Sequence, residues 1–144
     1  MPITLEDVEY TPYVGEGDIN SWIAGACNSA ALALTDGWLN GYKTLCRRES
    51  SYRPNAINTT DINAHGGIVG DGHPLNCSRG ISQCIPPTFA AYHVDGTSNS
   101  IYEPVANIAA SMRYVIHKYH VSDDGSDLAE KVQQADPGRR PKGY

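Results

Sequence analysis

The sequence predicts a single, mainly helical domain with one long irregular stretch set between its helices. Three observations carry that prediction. The 144 residues, 40% apolar and 19% charged, suit one folded domain with a core of its own rather than a disordered chain. Apolar residues recur with helical spacing in three extended segments. Between them, residues 55–82 lose that period and carry five of the fourteen glycines, Gly66, Gly67, Gly70, Gly72 and Gly80.

Taken in order, Asp18 caps a helix running through about Leu34, with Trp22, Ile23, Ala26, Cys27 and Ala30 as its stripe. Thr35 or Asp36 starts a second over 37–50, whose inward positions are Trp38, Leu39, Tyr42, Leu45 and Cys46. Tyr52-Arg53-Pro54 ends it, because a residue before proline is pushed out of the helical region. Pro86-Pro87 opens a short helix over 88–93. Glu103-Pro104 opens the strongest one, striped by Val105, Ile108, Ala109, Met112, Val115, Ile116 and Tyr119 as far as His120. Ser126 caps a last helix through about Ala135, leaving 1–17 as an N-terminal arm, 18–120 as the core and 136–144 as a flexible basic tail.

Composition excludes some classes of function. A net charge of −5 argues against a nucleic-acid binder. The longest purely apolar run, Ala30 to Leu34, is too short to enter a bilayer as a span. The start, MPITLEDVEY, is acidic and lacks an apolar signal segment, so no signal peptide is expected.

Cys27, Cys46, Cys77 and Cys84 form an even set, read either as two bridges or as reduced, buried thiols. A protein made in one cell's cytoplasm and used outside it would reconcile the two readings. His65, His73, Cys77 and Cys84 follow no common zinc spacing, so no metal is expected and a Cys77–Cys84 bridge ranks above one. A cysteine peptidase fits poorly, since Cys27 and Cys46 fall in mid-helix and His93, His117 and His120 in helical stretches.

Glu49 breaks the pattern. It stands i+4 from Leu45 and i+7 from Tyr42, on the apolar stripe, in the last turn of its helix. Burial and the helix dipole both disfavour its charged form, which is how a general acid stays protonated near neutral pH. The plainer alternative is an ion pair with Arg47, Arg48 or Arg53.

The surrounding residues add a resemblance. Arg48-Glu49-Ser50-Ser51-Tyr52-Arg53-Pro54-Asn55-Ala56 is similar to the E-S-x-aromatic-x-P-x-A motif of soluble lytic transglycosylases and goose-type lysozymes. The stretch from Gly80 to Phe89, GISQCIPPTF, resembles that family's G-L-x-Q-x-x-P-x-T motif. Tyr102-Glu103-Pro104-Val105-Ala106-Asn107-Ile108 resembles its D-P-x-x-N-I. The middle motif and the residues after it are most similar to transglycosylase domains of actinobacterial phages, found in endolysins and tail tape-measure proteins.

The resemblance implies a lysozyme-like α+β fold in which a loop or small hairpin lines a glycan cleft. It implies Glu49 as catalytic acid/base, with Asn58, Gln83 and Tyr114 as substrate-binding or positioning residues. The departures are Ser51 in place of the usual glycine, an absent A-Y-N-x-G motif, and a spacer stretched by residues 59–78.

The expected reaction is cleavage of the β-1,4 bond between N-acetylmuramic acid and N-acetylglucosamine in peptidoglycan, without a cofactor. No second carboxylate lies in the matched motifs, which favours the one-carboxylate route to 1,6-anhydromuramoyl ends over hydrolysis. Asp61 and Asp71, in the long loop, are the candidates for a hydrolytic alternative, weighed against simple turn chemistry. A non-catalytic glycan-binding module is the other rival, disfavoured because an unneeded carboxylate on the apolar stripe is destabilising. A monomer acting on the cell wall, alone or as one domain of a larger phage protein, completes the expectation, with no nucleic-acid partner and no membrane insertion.

Overall fold

Three helices whose apolar stripes face one another make the main core of the computed structural model, which describes residues 2–144. They are α1 (Ile19–Ser29), α2 (Asp36–Ser50) and α4 (Pro104–Tyr119), with the short α3 (Pro86–Ala91) and α5 (Leu128–Lys131) added at the sides. Ile23, Ala26 and Cys27 of α1 meet Trp38, Tyr42, Leu45 and Cys46 of α2 and Ile108, Met112 and Val115 of α4, all buried. A smaller core joins Val8, Phe89, Ile101, Tyr102, Ala106 and Ala110. The N-terminal arm closes it, since Ile3 N–H bonds the Ala90 carbonyl and Glu9 pairs with Ser100. The fold is the mostly helical α+β architecture expected, and among the described residues no helix is long and apolar enough to cross a membrane.

Local signals place most of the ends. Asp18 accepts from Ser21 N–H, Thr35 from Trp38 N–H and Glu103 from Ala106 N–H, which satisfies a free donor at each helix start. Helix α1 stops at Ser29, short of the expected Leu34. Ala31 turns left-handed (φ 57°) and Leu32 N–H reaches back to the Cys27 carbonyl, so a C-cap wins over the continuing apolar pattern. Helix α3 begins at Pro86, both prolines lying inside its first turn. The expected last helix shrinks to the single turn of α5, preceded by Asp127 rather than Ser126 and followed by a 3₁₀ turn at Gln133–Ala135. Val132, between them, is extended and buried, so core contact overrides the local helical pattern.

Two-residue strands β1 (Ile57–Asn58) and β2 (Ser78–Arg79) pair antiparallel and pinch off the long excursion 59–77. Arg79, fully buried, organises that excursion. Its guanidinium donates to the carbonyls of His73, Pro74, Leu75 and Cys77 and to both oxygens of Asp71 (Nε to Oδ2 2.7 Å). Tyr10 lies 5.1 Å beneath it, and the Tyr102 hydroxyl donates to Asp71 at 2.5 Å. Burial alone would raise the Asp71 pKa, but the bonds from Arg79 and Tyr102 outweigh it and hold the carboxyl at about 2.

All four cysteines are buried free thiols, so the Cys77–Cys84 bridge considered from the sequence is not formed. Burial pushes the Cys27 thiol up to about 11 and the Cys84 thiol up to about 12. Residues 136–144, expected as a flexible tail, lie back along α2 and the 3₁₀ turn. Arg48 donates to the Arg139 carbonyl, Gln133 to that of Arg140, and the chain ends with Tyr144 against Ser82.

Candidate active site

Glu49 sits in the last turn of α2, half-buried, on the wall of a cleft of about 310 Å³. The residues that follow it bend the chain away. Ser51 and Tyr52 are both left-handed (φ 54° and 64°), which explains why a glycine suits the first of these positions. The Tyr52 hydroxyl donates to the Lys43 carbonyl and Arg53 Nε to that of Ser50, locking the turn. Ser50 donates to the Ile81 carbonyl at 2.7 Å, so the residue beside Glu49 fastens α2 to the facing loop.

That loop depends on the third motif. Asn107 of α4 is fully buried and spends its whole side chain on it. Its Nδ2 donates to the carbonyls of Arg79 and Ile101, and its Oδ1 accepts from Ser82 N–H at 2.9 Å and from the Ser82 hydroxyl. Gly80 (φ 85°) passes so near that a Cβ there would strike the Asn107 amide and the Ile101 carbonyl. Only glycine fits. The three segments singled out in the sequence therefore meet, and Gln83 is set on the cleft wall by the loop they build.

Gln83 is itself left-handed (φ 60°), with Nε2 clamped to the carbonyls of Gly80 (2.9 Å) and Ala56 (3.2 Å). Tyr114 lines the cleft from α4, its hydroxyl accepting from Lys118 and donating to the Tyr144 carbonyl, its ring 5.6 Å from that of Tyr92. Asn58 turns its side chain to the neighbouring backbone. It is exposed, and its Oδ1 caps the following turn by accepting from Thr60 N–H and Asp61 N–H at 3.0 Å each. The side chain thus shapes the loop that carries Asp61, and its hydrogen bonds do not go to Glu49.

The partner that Glu49 does have is Gln134, whose Nε2 donates to Oε2 at 3.2 Å. Burial pushes the Glu49 pKa up to about 7; the Gln134 bond pulls against this and the negative charge of Asp61 adds to it. None of the three neighbouring arginines is ion-paired with Glu49. Arg48 goes to backbone carbonyls, including those of Gln133 and Gln134.

Gln134 and Tyr144, which lines the cleft, escape the sequence reading. Gln134 sits in a stretch that reads as an ordinary helix end. Tyr144 had one signal, as the only aromatic residue after Tyr119.

Of the two loop aspartates, Asp61 lines the cleft with Glu49, whereas Asp71 is consumed by Arg79 and Tyr102. Among the described residues no group of three or more His, Cys, Asp or Glu side chains is placed to hold a metal ion, and His65, His73, Cys77 and Cys84 do not assemble. The arrangement offers one proton donor poised near neutrality, a wall of polar side chains and aromatic rings, and an exposed second carboxylate. Chemically, such a cleft is able to protonate the leaving group of a polar chain bound along it.

Comparison with known proteins gives the class a family. Residues 26–130 match the Transglycosylase SLT domain, so the chain belongs to that family, whose domains act on peptidoglycan. It is also similar to the uncharacterized protein YqbO of Bacillus subtilis (strain 168), 35% identical over 103 residues. The match covers 72% of this chain and 6% of that protein's length. No solved structure matches the chain.

Proposed function

We propose that this domain is a lytic transglycosylase that cuts the β-1,4 bond between N-acetylmuramic acid and N-acetylglucosamine. The observation that carries this reading is Glu49, a half-buried acid with a pKa near 7 opening into a polar cleft. Its carboxyl gives a proton to the glycosidic oxygen as the bond from C1 breaks, and the muramoyl N-acetyl oxygen holds the cationic centre. The C6 hydroxyl then adds to C1 and returns its proton to the Glu49 carboxylate, leaving a 1,6-anhydromuramoyl end. Donor and acceptor are one residue, and no water is consumed.

Gln83, with a clamped amide, offers a rigid polar edge to the sugar chain, and Tyr114 an aromatic face. The 6% share of YqbO that matches fits a catalytic module carried in a very long chain, as in a phage tail protein that opens a cell wall.

One observation favours a second reading. Asp61 shares the cleft with Glu49 and is exposed, so it is able to hold a water and turn the reaction to hydrolysis. Mass spectrometry of purified peptidoglycan digested with wild type, Glu49→Gln and Asp61→Asn decides between them. The lyase gives anhydro ends that vanish in Glu49→Gln and persist in Asp61→Asn. Reducing ends lost in both variants make the enzyme a muramidase, and no products from folded wild type leave a binding module.

A further inference from the structure

Residues 133–144 do more than trail from the fold. We infer that this strap is a working wall of the active site, with Gln134 a positioning residue for Glu49 and the tail fixing the Gln134 amide. The inference rests on the reading of Glu49 as the catalytic acid.

The Gln134 amide is buried and used at both ends. Its Oε1 accepts from Lys142 N–H at 2.7 Å, and its Nε2 donates to Glu49 Oε2 at 3.2 Å. A backbone N–H only donates, so the tail dictates which way the amide points. The NH₂ end must face the carboxylate. With Oε2 held as an acceptor, the transferable proton of the acid form is left to Oε1.

Both ends of the strap are fastened to the catalytic elements. Arg48, next to Glu49, donates to the carbonyls of Gln133 (3.2 Å), Gln134 (3.4 Å) and Arg139 (2.7 Å). Gln133 Nε2 holds the Arg140 carbonyl between them. At the far end the Tyr144 hydroxyl donates to the Ser82 carbonyl at 2.8 Å, one residue from Gln83. That donation fixes the direction of a buried hydroxyl chain, in which Tyr42 donates to Ser111 and Ser111 to Tyr144. The strap therefore bridges the helix that bears the acid and the loop that bears Gln83, and Gly143 and Tyr144 line the cleft between.

The charge environment gives the strap a measurable signature. The other titratable groups coupled to Glu49 are Asp61 from the loop, Cys46 one turn back on α2, Cys84 before α3 and Tyr144 from the strap. Each is neutral or anionic. A donor to the carboxylate favours its ionised form, so losing Gln134 moves Glu49 titration upward.

The test follows the Glu49 carboxyl carbon by NMR through a pH titration in wild type, Gln134→Ala and a chain ending at Gly138. The pH profile of kcat/KM on peptidoglycan is recorded alongside. The expected result for both variants is an upward shift of about one pH unit in the titration and in the basic limb of the profile. A fall in kcat of about tenfold, larger than any change in KM, accompanies it as the proton loses its fixed oxygen. A Gln134→Ala titration that coincides with wild type overturns the inference, as does a shortened chain that cleaves as fast as wild type or faster. Should the shortened chain not fold, Gln134→Ala decides alone. A wild type that cleaves nothing refutes the transglycosylase reading, while the titration still judges the strap.

Discussion

Glu49 ties stability to pH with a definite sign. Its folded pKa of about 7 lies above the ordinary 4.5, so between those values the native state keeps a proton that the unfolded chain has released. The contribution of Glu49 to stability is therefore best below pH 4.5, declines as pH rises to 7 and is level above it. Glu49→Gln, which has no charge to desolvate, escapes that decline. Thermal unfolding should give the variant and wild type similar midpoints near pH 4 and a higher midpoint for the variant at pH 8. A lower midpoint at every pH would make Glu49 a structural residue.

Under the mechanism proposed for Glu49 a general acid works while protonated, so cleavage should fall as pH rises through about 7. Two residues further on, Ser51 holds a left-handed backbone that costs a residue with a Cβ about 1–2 kcal/mol. Ser51→Gly should relieve part of this and stabilise the protein by about 0.5–1 kcal/mol in urea unfolding, after the entropy lost to glycine. An unchanged midpoint would mean that the turn carries no strain.

Backbone turns and the side chain of Arg79 together hold the excursion 59–77, which lacks a helix and an apolar stripe. Arg79 gathers four carbonyls and a carboxylate, a set that the compact ammonium of lysine cannot span. Arg79→Ala leaves Asp71 without its cation and should cost about 3–5 kcal/mol, measured by urea unfolding. A loss below 1 kcal/mol would show that the loop folds without its hub. Because Asp71 is held at about 2, its stabilisation is complete above its ordinary 3.8 and disappears as pH falls through 2.

This element was the least legible in the sequence, for a physical reason. The helices announce themselves through short-range periodicity, and Glu49 was found because it violates one. An arginine inside a Gly-rich loop looks like any solvated cation until its distant partners are known. Gln134 was hidden in the same way, 85 residues from Glu49, where local pattern says only that a helix is ending. Asn58, named from a matched place, hydrogen-bonds the turn beside it, a contact that the motif does not announce.

On the scale of the whole molecule, the cleft belongs to no single element. Its walls come from the end of α2, the Arg79-centred loop, the turn before α3, the face of α4 and the C-terminal strap. Hydrogen bonds of Ser50, Asn107 and Tyr144 join these pieces across the chain, so the site exists only when the whole domain is folded. Gln83→Ala should for that reason lower turnover while the protein stays folded, its midpoint falling only by the loss of the two bonds from Nε2, because Asn107 and Ser50 still hold the loop. Unchanged kinetics would remove Gln83 from the substrate path.

The four thiols have a consequence of another kind. They are buried, unlinked and, for Cys27, Cys46 and Cys84, held well above neutrality by burial, so the reactive thiolate is scarce. A thiol reagent should label Cys27, Cys46 and Cys77 only as fast as the protein unfolds, and midpoints with and without reductant should agree. A folded chain of this design is indifferent to the passage from a reducing interior to an oxidising exterior: it has no crosslink to acquire before it works and none to lose where it was made.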